Sequence, residues 1–485
     1  MTQTATTRFG LLARRSLSAL TATALLAGLL VGTPSAVRAG GTIYVGPGSN
    51  SSGGGCATPN YGASSTNATT AIESAIDDAS DPNVVYLCAG TYELTETVNI
   101  DREVTIHGAS AASVVITPDG FAGTLLMVQQ DVTITDITVD GASKNWGVED
   151  GNGAAILAWN EVTLTVNDSV FTNNEAGEGA AIWMDDHSAL LTSNNLFKGN
   201  EAEDGGAIWF DNDTFGSLSG DTFIDNHAVG DVDMTDPEGG AIYMEYDYPT
   251  GNILSVEDAT FSGNTSAEDG GAICVQEAVL VTITDSTFTD NHAIGADSST
   301  EGGAVYVDYG DLTVTGSTFT GNTAYEDGGA IALDDAENDH LFLLNNTFTS
   351  NRASGDTDAD GGAVYFVADS AEITSNTFSR NQAGRDGGAA YGGWMREWEE
   401  NTVIALAVQI NGNGFFSNRA RTYGGALALE SHAQPGNASH NRFTANRSRY
   451  GTDVAELGCP ASRGETLRAW RRSGARSIVA ACVSY

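Results

Sequence analysis

The sequence predicts an all-β chain wound as a parallel β-helix, a solenoid, on three observations. First, a Phe-x-x-Asn signal occurs ten times, at Phe171/Asn174, Phe197/Asn200, Phe223/Asn226, Phe261/Asn264, Phe288/Asn291, Phe319/Asn322, Phe348/Asn351, Phe378/Asn381, Phe415/Asn418 and Phe443/Asn446. Second, nearly every copy is followed by a small-residue run, such as DGGAIWF (204–210), EGGAIYM (238–244), DGGAICV (269–275) and DGGAIAL (327–333). Third, the apolar residues after the glycines and before each Phe, as in VTITDSTF (281–288) and LTVTGSTF (312–319), alternate with the period of a strand, and no helical spacing intervenes. Successive Phe residues stand 26 to 38 positions apart, a period at which each unit buries its apolar side only against its neighbours. Strands that recur once per coil in one direction pair in parallel with the next coil, about 4.8 Å per rung. Two weaker glycine copies (151–157 and 178–184) and upstream strands bring the expectation to about 13–15 coils, a rod of about 60–70 Å.

In chain order, residues 1–39 read as an export signal. Arg8, Arg14 and Arg15 precede an apolar stretch from Leu17 to Val31, and Val37-Arg38-Ala39 ends it before Gly40. The residues after Arg14-Arg15 fit the twin-arginine route poorly. Residues 40–110 form the N-terminal cap and first coils: after a Gly/Ser-rich stretch (46–55), Thr69–Ala79 is a short amphipathic helix with Ile72 and Ile76 on one side. Residues 111–450 are the repeat body and 451–485 the C-terminal cap. A solenoid end needs a cap because its last coil offers unpaired strand edges. Cysteines in an exported chain suit that task. Cys56 pairs with Cys88 at one end and Cys459 with Cys482 at the other, leaving Cys274 over.

Charge is uneven. The formal net charge is −42; residues 40–351 hold 50 Asp and Glu against Arg102, Lys144 and Lys198, whereas residues 352–485 hold 13 acids and 14 Arg. Such a field excludes nucleic acid and anionic membrane as partners of the acidic part, and favours cations, cationic partners or a salty habitat. The mature chain shows no segment apolar enough for a transmembrane helix. The residues after Asn446 are too few for an outer-membrane barrel. A released or surface-held protein is expected.

In a stack of coils each repeat position becomes a file. The Phe file is expected inside, and the Asn file as a ladder of amides, both structural. Alternation in the post-glycine strand turns Ile208 and Phe210 inward, hence Trp209 and Asp211 outward. Extended along the rod, this gives an outward aromatic file of Trp183, Trp209, Tyr243, Tyr306, Tyr365 and Tyr391, interrupted by Cys274 and Ala332. A carboxylate file of Asp185, Asp211, Glu245, Asp308 and Asp334 runs beside it. Two readings stand side by side: a groove in which sugar rings stack on aromatics, and aromatics that pack on one another. For a polysaccharide or other surface ligand the binding residues are then Trp183, Trp209, Tyr243, Tyr306, Tyr365, Asp211, Glu245 and Asp308.

A second acidic file precedes the glycines: Glu178, Asp204, Glu238, Asp269, Glu301, Asp327, Asp360 and Asp386. Solvated acids are its plain reading. No cofactor is required, and calcium is the candidate ion, with Asp204, Glu238, Asp269 and Glu301 as its ligands. Glycosidase chemistry needs two carboxyls; the place to look is Asp185, Asp186 and Asp211, near His187 and two Trp residues. His227 and His292, two rungs apart, are surface histidines. The longer loops between Asn and glycines (227–238, 292–301 and 352–360) and the aromatic insertion YGGWMREWEE (391–400) belong to exposed faces.

The paired signals, as in FTGNTAYEDGGAIAL (319–333), resemble the repeats of the polymorphic outer membrane proteins, within the pectin-lyase-like right-handed β-helix superfamily. The resemblance covers about 300 residues. It implies a right-handed winding and a surface-exposed β-helix associated with the outer membrane and with adhesion, here without the autotransporter barrel. Residues 43–100 resemble the N-terminal cap and first coil of pectin-lyase-like proteins. Pectate lyases of that superfamily use calcium, acids and a basic residue, and the acid-rich part of this chain has almost no Arg or Lys. The expectation is therefore a secreted or surface-held binding, adhesin-type or structural protein rather than an enzyme. The alternative is an extracellular polysaccharide lyase or glycoside hydrolase working in the outward aromatic and carboxylate groove.

Overall fold

The computed structural model describes residues 42–481 apart from 48–54, 65–66, 81–82, 145–151, 160, 231–236, 246–250, 277, 296–299, 356–357, 394–406, 431–433, 458–474 and 476. The expected export signal (1–39), Cys459, Cys482, the middle of the longer loops and most of the 391–400 insertion lie outside the described residues.

One coil shows the plan. Ile242–Met244 follows the glycines, then come Asn252–Glu257, Thr260–Ser262 with Phe261, and the two-residue strand Thr265–Ser266, after which Gly270-Gly271 leads into Ile273–Gln276 of the next coil. Each strand pairs in parallel with its equivalent one coil on: Ile242 with Ile273, Phe261 with Phe288, Thr265 with His292. Repeated along the chain this is a right-handed parallel β-helix. Ten Phe strands and the upstream strands Gly90–Leu94, Val114–Pro118 and Thr138–Asp140 form a sheet of 13, the short strands after Asn a sheet of 7, and the remaining files a sheet of 27.

The glycine pair has two separate causes. Gly270 has φ +60°, a left-handed backbone in which a Cβ would sit 2.3 Å from the Ile273 carbonyl oxygen. Gly271 has no such φ, but a Cβ there would lie 2.3 Å from the Gly303 oxygen of the next coil. The first glycine makes the corner, and the second lets coils approach.

The Phe file is buried as expected. Phe261, Phe288 and Phe319 are fully enclosed, with ring centroids 4.7 Å apart and planes within 3°. The Asn file beneath is a continuous amide ladder. Asn291 Nδ2 donates to the Phe261 carbonyl (3.1 Å) and to Asn322 Oδ1 (3.0 Å), while its own Oδ1 accepts the Asn264 N–H and Nδ2–H. At the N-terminus the helix Ala68–Asp78 covers the first coil with Ile72 and Ile76 buried. Arg102 there donates to the carbonyls of Ile76 and Asp77, and the Cys56–Cys88 disulfide is formed. Cys274 is buried and outside any disulfide. Among the described residues no helix is long and apolar enough to cross a membrane.

Candidate functional site

The outward aromatic file faces away from the Phe core, as alternation requires, but most of it is closed to solvent. Trp183 and Trp209 are 4% exposed and Tyr243 8%. With Leu157 and Cys274 they make a second buried cluster, against which Tyr306 packs. Tyr391 is buried with Ala428, Ala455 and Leu457, and Tyr365 packs there. The cause is the rung spacing. Trp183 stacks on Trp209 at 5.2 Å and 6°, and Tyr365 on Tyr391 at 5.6 Å and 5°, so each ring covers a face of the next. Trp183, Trp209 and Tyr243 therefore pack on one another, Tyr306 packs half-buried against their cluster and Tyr365 on Tyr391, so they do not form the continuous open platform expected of them.

At one end the stack borders an open ring from the neighbouring carboxylate file, since Leu157 is the rung partner of Trp183. Trp159, one rung before Asp185 by the pairing of Ala158 with Met184, stacks on Trp183 at 6.0 Å and is 44% exposed. Beside it the carboxylate oxygens of Asp185, Asp186 and Asp211 lie within 4.8 Å of one another. Asn212 Nδ2 donates to Asp211 Oδ1 (2.7 Å) and to Asp186 Oδ1 (3.3 Å). Burial pushes Asp211 up to about 6, with the Asp186 and Asp185 charges adding to it. Glu245, next in the file, is pushed up to about 7 by burial and by Asp211. His187 turns to Asp213 at 3.3 Å. Asp308 is half-buried and further along the rod, in register with Asp334. Trp159 is not among the expected site residues because its rung has a weaker glycine run (GNGAAIL) and no acid after the strand.

The acids before the glycines do not form a solvated file, which corrects its plain reading. Asp269 and Asp327 are 7% exposed, Asp360 0% and Asp386 1%. The aspartates of this file bridge coils: Asp204 Oδ1 accepts the Glu238 N–H at 2.9 Å, Asp269 Oδ1 that of Glu301 at 2.6 Å, and Asp386 Oδ1 that of Tyr423 at 2.8 Å. Burial raises Asp204, Asp269 and Asp327 well above the ordinary carboxyl range. Arg385 is paired with Asp360.

A further polar file lies beyond what the repeat pattern announces. Two residues before each Phe, Asn195, Asp221, Ser286, Ser317, Asn346, Asn376 and Asn413 are buried; Asn346 Nδ2 donates to the Val314 carbonyl, and its N–H to Asn376 Oδ1. Asp221 holds its place because Thr192 Oγ1 and Asn195 donate to it. Its signal in the sequence is the Asn or Ser of NNTF, SNTF and GSTF. His227 and His292 are half-buried, each hydrogen-bonded to a threonine of the next rung.

Comparison with known proteins agrees with this geometry. Residues 60–221 match the model of the rhamnogalacturonase A/epimerase, pectate lyase-like family, and residues 239–405 that of the right-handed β-helix region. "Probable outer membrane protein pmp20" of Chlamydia pneumoniae is 34% identical over 139 residues, 26% of this chain and 8% of that protein. "Probable outer membrane protein pmp6" of the same organism is 27% identical over 231 residues, 43% of this chain and 16% of that protein. The chain thus spans a small part of the length of the relatives it matches. Among solved structures, the catalytic domain of a GH87 alpha-1,3-glucanase in complex with nigerose superposes with a TM-score of 0.50 at 12% identity, over 86% of this chain and 71% of that one, a likeness of fold. The chain is a right-handed parallel β-helix, with matches to a pectate lyase-like family and to the right-handed β-helix region, and its Gly-Gly-Ala-Ile and Phe-x-x-Asn repeats are similar to those of polymorphic outer membrane proteins.

Proposed function

We propose that this β-helix is exported to a cell surface and binds there a polysaccharide or another surface, with Trp159 and the carboxyls of Asp185, Asp186 and Asp211 at the centre of the contact. One observation carries the reading: among the described tryptophans Trp159 is open to solvent, and its half-open ring stands one rung from three converging acids. A sugar ring needs an apolar face to stack on and oxygens to take its hydroxyl protons, and this corner offers both. Export rests on the leader-like residues 1–39, and surface attachment on the repeats shared with outer membrane proteins. The test is a panel of neutral and acidic polysaccharides titrated against the mature protein while Trp fluorescence is followed. Trp159→Ala should weaken binding about tenfold or more; unchanged affinity in that variant sinks the reading.

A second reading, glycoside hydrolysis, is favoured by the raised acids. A carboxyl near neutrality, Asp211 or Glu245, could give its proton to a leaving oxygen while an ionised neighbour attacks the anomeric carbon or activates water. New reducing ends, abolished in Asp211→Asn, would establish it in place of binding alone. Lyase chemistry is disfavoured, because residues 199–351 contain neither Lys nor Arg.

A further inference from the structure

The glutamates of the buried acidic file are anchored differently from its aspartates. Their longer arms reach the aromatic file. Glu178 Oε2 accepts the Trp183 indole N–H at 3.2 Å. Glu238 Oε2 accepts Gln276 Nε2 at 2.6 Å and the Cys274 thiol at 3.1 Å, both from the following coil. Glu301 is the third glutamate in this position, and the same two places of its following coil hold Ala332 and Asp334, as the register Cys274–Tyr306–Ala332 and Gln276–Asp308–Asp334 shows. A methyl and a carboxyl stand where Glu238 finds two donors. In consequence Glu301 Oε2 is sealed from solvent and takes no hydrogen bond.

What surrounds that oxygen is negative. Burial first, then Asp334, Asp269, Glu326 and Asp308, raise the Glu301 carboxyl. Asp269 Oδ1, one coil back, accepts the Glu301 N–H at 2.6 Å, and Asp334, one coil on, holds the register place of Gln276. Residues 199–351 supply no Lys or Arg to this neighbourhood. An enclosed oxygen facing carboxyls, with no donor, is the donor set of a hard cation.

The geometry points to a calcium site between successive coils, with Glu301 Oε2 as its inner ligand, Asp269 and Asp334 completing the charge, and Tyr306 alongside. Calcium fits better than magnesium because its irregular shell of six to eight oxygens tolerates ligands drawn from three coils. Among the described residues the trio Asp185, Asp186 and Asp211 has closer oxygens, but it is wetter, Asn212 already donates to it, and it has no stranded oxygen. The Glu301 group is more widely set, so its carboxyls must close in as the ion enters. This inference is independent of the sugar-binding reading, which concerns the Trp159 corner.

Thermal unfolding of the mature protein with calcium, against sodium at equal ionic strength, tests it first. Calcium at about 1 mM, in the range of extracellular sites, should raise the midpoint where sodium does not. Terbium bound in place of calcium should emit when tyrosine is excited. Glu301→Gln should remove both the calcium-selective shift and the terbium emission. Tyr306→Phe should lose most of the emission while keeping the shift, which separates loss of the site from loss of the fold. Absence of a calcium-selective shift in the parent overturns the inference. So does a shift that survives Glu301→Gln but is lost in Asp211→Asn.

Discussion

At the residue scale the Asn file is where a single substitution should be felt most. Asn291 serves four partners: the Phe261 carbonyl, Asn322 Oδ1, and the N–H and Nδ2–H of Asn264. Asn291→Ala strands the Phe261 oxygen and the Asn264 donors in a region that water does not reach. A buried unsatisfied group costs about 1–3 kcal/mol, so the variant should lose about 2–5 kcal/mol in urea unfolding. Thr289→Ala, two residues earlier and half-buried on the outer face, should change stability by under about 0.5 kcal/mol. Equal losses in the two variants would mean that the amide file is incidental. The Asn residues can be read from the sequence because they recur at a fixed offset from Phe. The companion file two residues before Phe is harder to read, since it mixes Asn, Ser and Asp, and only stacking reveals that these occupy one place.

At the scale of the strand and its neighbours, alternation foretells direction but not accessibility. Trp209 does face away from the Phe core, yet rings in consecutive rungs are only 5.2 Å apart at Trp183 and Trp209, close enough for each to shield the next. The open ring instead comes from the neighbouring file, where the weak repeat puts Trp159 in the place of an acid. The acids before the glycines show the same gap between pattern and burial, and they set a pH dependence. Asp386 is pushed up to about 7 by burial and the Asp360 charge, against about 4 in an unfolded chain. A carboxyl raised on folding binds its proton more tightly in the native state. Its contribution is therefore whole below about pH 4 and is lost as pH rises toward 7. Asp204, Asp269 and Asp327 shift in the same direction, while Arg385 opposes the shift at Asp360. In calcium-free buffer the melting temperature should fall by several degrees between about pH 5 and pH 8. Asp386→Asn, which keeps the acceptor for the Tyr423 N–H, should reduce that fall. A melting temperature that rises over this interval would contradict the buried, proton-holding file.

At the scale of the whole molecule, coils contact mainly the coils before and after them, so stability is close to a sum of local terms along the rod. Charge is not distributed evenly along that sum. Residues 40–351 carry 50 acids and three basic side chains, whereas residues 352–485 carry 13 acids and 14 Arg. Rungs lie near 5 Å apart, as the ring spacings of 4.7 Å for Phe261 on Phe288 and 5.1 Å for Phe378 on Phe415 indicate. Successive exposed carboxyls at that spacing are well inside the Debye length of about 30 Å at 0.01 M salt but outside that of about 3 Å at 1 M. Repulsion thus weakens the acidic coils at low salt and spares the balanced ones. Lowering sodium chloride from about 1 M to about 0.01 M should speed amide hydrogen exchange in the strands between residues 163 and 349 before it does so in those between 407 and 457. Potassium chloride should act as sodium chloride does, because screening does not distinguish them. Were the two regions to lose protection together, the rod would be unfolding as one cooperative body, and local charge would not be what limits its acidic part.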